Sequence, residues 1–77
     1  MTVAQSTDQA LTLGFRAKRL RCFRGLTKQG LADTAGVTKE DVDLLEHDSS
    51  LRPDAKRALL RTLGFEDMII RRLLSGN

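Results

Sequence analysis

Two short strings, Gly25-Leu26-Thr27 and Gly36-Val37-Thr38, punctuate the chain between residues 13 and 46 and leave it little choice of fold. Glycine tolerates the left-handed backbone that ends a helix, and a threonine hydroxyl accepts from the unpaired amides that open the next one. Each string therefore closes one helix and starts another. Before the first, Leu13, Ala17, Leu20 and Arg24 recur at helical spacing and predict a helix that starts at Asp8 or Thr12 and ends at Phe23. The strings then predict a second helix over 28–35 and a third from 39 to His47. Two helices that cross closely need a small residue at the contact and apolar residues facing it. Ala32 meets the first need, Gly36 supplies the turn, and Leu31, Val37, Val42 and Leu45 meet the second. The spacing is that of a helix-turn-helix.

After a polar loop over 48–52, Pro53 suits the first turn of a fourth helix that runs to Leu63 and stops at Gly64. Over 66–74, Met68, Ile69, Ile70, Leu73 and Leu74 spread too broadly for one narrow stripe. That fifth helix should be covered on more than one side, either by closing the core or by meeting a second copy. Residues 1–10 are polar and aperiodic and are expected to form a flexible arm, with 11–77 as a single all-α domain. A share of 40% apolar residues excludes a disordered composition. One cysteine, Cys22, excludes an internal disulfide, and with one histidine, His47, it cannot build a four-ligand zinc site. No catalytic triad, carboxylate pair or glycine-rich phosphate loop is visible, so neither an enzyme nor a cofactor is expected. No apolar run approaches the ~18 residues of a membrane span, and the first ten residues lack the order of a signal peptide. A cytoplasmic location with no membrane partner is the expectation.

From 13 to 46 the chain resembles the Cro/CI-type (XRE-like) helix-turn-helix regulators of bacteria and phages. The residues that carry the resemblance are Leu13-Gly14, Arg16 and Leu20-Arg21 at the opening, the two Gly-x-Thr strings, Leu31-Ala32 between them, and Val42 with Leu45-Glu46 at the close. The stretch is nearly half the chain. The resemblance implies a five-helix, lambda-repressor-like domain, double-stranded DNA as partner, and a homodimer that regulates transcription. Helix 3 would enter the major groove and the N-terminus of helix 2 would meet a phosphate. Carried over by position, Lys39, Glu40, Asp43 and Leu44 face the bases, and Thr27, Lys28, Gln29 and Thr38 face the backbone. The resemblance also implies an ion pair between Arg21 and Glu46 that ties helix 1 to the end of helix 3.

Charge pulls the other way. Between residues 27 and 50, Lys28 and Lys39 stand against Asp33, Glu40, Asp41, Asp43, Glu46 and Asp48, a net of −4, while the flanks carry +4 and +3. Lys39 can donate to guanine and Glu40 can accept from cytosine. Asp43 and Leu44 depart from the family pattern, in which amides, Ser or Arg are usual. Asp41 suits the positive end of helix 3, and Glu40 and Asp43 either read bases or lie on an unused face. Two functions therefore stay open, a DNA-binding regulator and a helix-turn-helix that docks on a basic protein partner. Helix 1 adds Arg16, Lys18, Arg19 and Arg24, either for a phosphate backbone or as a solvated face. Phe15 and Cys22, seven apart, form an outer apolar stripe on that helix for which the Met68–Leu74 stripe, of the same chain or of a second one, is the nearest candidate cover.

Overall fold

The computed structural model describes residues 12–66 together with Ile70, Arg72 and Leu74. Over these residues the chain is all-helical, with four helices: α1 (Leu13–Phe23), α2 (Lys28–Ala35), α3 (Lys39–Glu46) and α4 (Pro53–Thr62). Ile70, Arg72 and Leu74 are helical as well. The arm expected over 1–10, and Met68, Ile69 and Leu73 of the expected fifth helix, lie outside the described residues.

Three threonines begin the first three helices. Thr12 Oγ1 accepts from the Phe15 amide at 3.1 Å, so α1 takes the later of its two expected starts. Thr27 Oγ1 accepts from Gly30 at 2.9 Å. Thr38 accepts from Asp41 at 3.1 Å, and the Asp41 carboxylate accepts in return from the Thr38 amide at 3.2 Å, a reciprocal box that satisfies two orphan donors. Pro53 opens α4 without a side-chain cap.

All four helices end alike. The Gly25 amide donates to Cys22 and the Leu26 amide to Arg21 at 2.9 and 3.0 Å, the paired bonds that close a helix through a left-handed residue. The same pair recurs around Gly36, Asp48 and Gly64, with φ of 75°, 56° and 101°. Three of the four stops are the glycines legible in the sequence. Asp48, which the sequence places in a loop, is instead the left-handed stop of α3. The fourth helix ends one residue before Leu63, which turns inward as core.

α2 packs on α3 and α4, and α1 rests on α3. Leu31, Ala32, Val42, Leu45, Leu59, Leu60 and Leu63 form the core with Ala17 from α1, and Ile70, 2% exposed, reaches it from the C-terminal segment. Leu74 packs against the same cluster, half-buried.

Gly14 sets how closely α1 can approach α3. A Cβ built there would stand 2.6 Å from the carbonyl oxygens of both Leu45 and Glu46, where neighbours are backbone and cannot swing aside. Gly14→Ala is therefore expected to destabilise the domain by about 3 kcal/mol, the upper range for overpacking. Urea unfolding checks this, and a loss below ~0.5 kcal/mol, within the range of ordinary surface changes, would show that the seam yields.

Candidate nucleic-acid interface

The start of α2 and the first turns of α3 carry the positions expected to meet DNA. Lys39 and Glu40 are exposed at the start of α3, and Leu44, one turn further, is 38% exposed. Gln29 is exposed on α2 and its amide donates to Asp33 at 2.8 Å. Thr27 and Thr38 use a hydroxyl lone pair as caps, and each hydroxyl keeps its hydrogen for donation to an outside oxygen. Lys28 and Asp43 are brought together: Nζ lies 2.7 Å from Oδ1 across the α2–α3 gap. Lys18 and Lys28 with His47 border a groove of about 380 Å³ beside that pair. His47 Nδ1 sits 2.8 Å from the Asp43 carbonyl oxygen in the last turn of α3.

The C-terminal end of α3 is strapped to α1 at two places. Arg21 Nε donates to Glu46 Oε2 at 2.6 Å and its Nη2 to Oε1 at 3.2 Å, a two-pronged contact with side chains only 9% and 4% exposed. The third prong, Nη1, donates to the Leu26 carbonyl at 2.9 Å, so one guanidinium joins α1, α3 and the approach to α2. The hydrogen bonds that Arg21 donates to Glu46 raise the Arg21 pKa against the opposing effect of burial. At the other place, Asp48 Oδ1 accepts from the Gly14 amide at 2.8 Å and caps the start of α1. The N-terminal end of α3 is held by Arg52, whose Nη2 donates to Asp41 Oδ2 at 2.9 Å. The sequence reading missed the roles of Asp48 and Arg52. Only a left-handed stop after α3 could have flagged Asp48, and nothing local flags Arg52.

These contacts change the meaning of the acidic count. Glu46 is neutralised by Arg21, Asp41 by Arg52 and Asp43 by Lys28. Asp33 and Asp48 accept from Gln29 and Gly14. Among the described residues Glu40 is the one carboxylate of the six with no partner. The two arginines that reach in from the flanks halve the excess of the unit from −4 to −2. The Thr38 amide holds the Asp41 carboxyl below its ordinary pKa, with help from the Thr38 hydroxyl and Arg52, while burial opposes them. Lys28 does the same for Asp43.

Among the described residues no three His, Cys, Asp or Glu stand close enough to hold a metal ion, and no helix is long and apolar enough to cross a membrane. No protein-family model, curated protein or solved structure matches the chain, so its function has to be argued from its own geometry.

The buried pair should couple strongly. Arg21→Met and Glu46→Gln are each expected to cost ~3 kcal/mol, because either leaves a charge or its hydrogen bonds unmet, and the double variant should cost clearly less than the sum. Denaturation of the four proteins in one cycle reads this directly, and additive losses would show that the contact contributes nothing.

The depressed carboxyls set an acid limit. A pKa lowered on folding contributes stability that is fully present above the unfolded value of ~3.9 and is lost as pH falls through the folded one. Stability should therefore hold above about pH 5 and fall steadily below about pH 4. Asp41→Asn should be less stable at neutral pH and show a shallower acid decline in thermal melts. An unchanged acid slope would mean that Asp41 titrates alike in the folded and unfolded chain.

Proposed function

We propose that the chain is a small sequence-specific DNA-binding transcriptional regulator of the Cro/CI type. In this reading it is a five-helix, lambda-repressor-like domain that acts as a homodimer and reads the major groove with α3. The observation that carries it is the way α3 is mounted. Arg21 and Asp48 fix its end to α1, Arg52 and the Thr38 box fix its start, and Lys39, Glu40 and Leu44 are left facing outward. A helix held at both ends with an exposed outer face is what base readout requires, since misplacement by a fraction of an ångström loses a bidentate hydrogen bond.

Lys39 is the donor to guanine in this reading, Glu40 the acceptor from cytosine, and Leu44 an apolar contact for a thymine methyl. Thr27, Lys28, Gln29 and Thr38 meet the phosphates. Asp43 acts through Lys28: it holds the ammonium at the α2 N-terminus until a phosphate competes for it. The C-terminal segment with Met68, Ile69, Ile70, Leu73 and Leu74 supplies the contact to a second copy, beyond the share that Ile70 and Leu74 give to the core.

A second reading is favoured by one observation, the scarcity of cations on the α2–α3 face. Lys28 is engaged by Asp43, which leaves Lys39 opposite an unpaired Glu40. On that reading the face docks on a basic protein surface and DNA binding is slight.

Fluorescence anisotropy with random duplex at low salt separates the two. The regulator reading expects binding that weakens with salt. Asp43→Asn should tighten it several-fold and steepen the salt slope by about one, because Lys28 is released to a phosphate. Lys39→Ala should weaken binding and relax base preference. No binding by the unaltered chain or by Asp43→Asn would overturn the regulator reading in favour of the second.

A further inference from the structure

One side of α1 has no occupant among the described residues; Phe15 and Lys18 at its edge also border the groove that contains Lys28, Glu46 and His47. Gly14, Ala17 and Arg21 face inward and are buried. Phe15, Lys18, Arg19, Cys22 and Phe23 line an outer groove of about 500 Å³. Phe23 is 88% exposed, Cys22 is exposed and Phe15 is half-buried. One exposed apolar side chain needs no explanation, because much of any protein surface is apolar. An exposed phenylalanine and an exposed cysteine beside a half-buried phenylalanine, all around one groove, do. Ile70 and Leu74, the described members of the C-terminal apolar stripe, pack on the core and neither lines this groove.

The rim of the groove is cationic. Helix α1 contains no carboxylate, and among the described residues Arg16, Lys18, Arg19 and Arg24 have no carboxylate partner. The Arg19 guanidinium stands 5.9 Å from the Phe15 ring centroid and so holds the ring against the helix surface with its charge still facing water. We infer that this groove is a docking surface for an acidic, apolar-anchored segment of a partner protein.

Charge complementarity selects that occupant. An apolar side chain seated over Cys22 between the two phenylalanines would bring flanking Asp or Glu against Lys18 and Arg19. Partial exclusion of water there strengthens each contact. Nucleic acid fits less well, since such interfaces are polar and rich in side chains that hydrogen-bond sugars and bases. The groove offers none beyond its two cations. A membrane surface calls for an apolar face along a whole amphipathic helix, whereas the opposite side of α1 is committed to the core. The inference does not depend on DNA binding by α3.

Cys22 is the only cysteine and reports on the groove in the intact chain. The chain would be used to select from a displayed library of random peptides about sixteen residues long, enough for a helix-in-groove contact. Selected peptides should combine Asp or Glu with paired apolar residues. A synthesised winner should slow thiol labelling of Cys22 about tenfold, and Phe23→Ser or Arg19→Glu should weaken it about tenfold, as loss of an anchor does. Thermal melts of both variants should match the unaltered chain, as expected for exposed positions. Four results overturn the inference: selected peptides without acidic residues, binding unchanged in Phe23→Ser, slow labelling in the chain alone because its own residues or a second copy fill the groove, or protection of Cys22 by random duplex or phosphatidylglycerol vesicles but not by peptide.

Discussion

The lack of a side chain at Gly14 lets α1 lie directly against the carbonyls that end α3, and the rest of the architecture is arranged around that contact. Once the two backbones meet there, the Gly14 amide comes within reach of Asp48, and Arg21, two turns further along α1, comes within reach of Glu46. Asp48 adopts a left-handed backbone to make its bond, at a cost of about 1–2 kcal/mol for a residue with a Cβ. A charge-assisted hydrogen bond at the positive end of α1 is of the size needed to offset it. Arg21 likewise sits where the negative end of α3 favours a cation. Two helix ends of opposite polarity are thus placed together and each is met by a side chain of the right sign.

α3 has eight residues, too few to be helical alone in water, where ~12–15 are needed even for good sequences. Its form comes from outside: the Thr38 box at one end, the Asp48 stop at the other, Arg52 and Arg21 as external clamps, and Val42 and Leu45 in the core. The carboxylates that make this segment acidic are largely the groups by which it is held. Asp41 and Glu46 bind arginines from beyond the helix-turn-helix, and Asp43 binds the lysine that opens α2.

What was legible in the sequence follows from the range of each signal. Caps and stops act over three or four residues, so Thr27, Thr38, Gly25, Gly36 and Gly64 could be placed by pattern. The core positions Ala17, Leu31, Val42 and Leu45 followed from helical period. Asp48 could not be found this way, because the amide its side chain meets lies 34 residues away. The same is true of Arg52, whose partner Asp41 lies eleven residues back across a loop. No local rule links Arg21 to Glu46, 25 residues apart, and only the family resemblance pointed to them. Lys28 and Asp43 were each readable as DNA contacts and not as contacts with each other, since their meeting depends on the crossing of α2 and α3.

Segment-by-segment charge therefore misstates what each face of the folded chain presents. The basic flanks lend Arg21 and Arg52 to the acidic centre, where both are engaged with α3. Of the cations that α1 keeps, Arg19 lines the outer groove with Phe23 and Cys22, and Lys18 stands between that groove and the one it shares with Lys28 and His47. None of them pairs with Glu40 at the start of α3. Two surfaces of different character result from one sequence: an α2–α3 face whose carboxylates are mostly paired, and a cationic, aromatic α1 face whose cations have no carboxylate partner among the described residues. If α3 reads DNA as proposed, its selectivity has to come from the positioning of Lys39 and Glu40 rather than from bulk attraction.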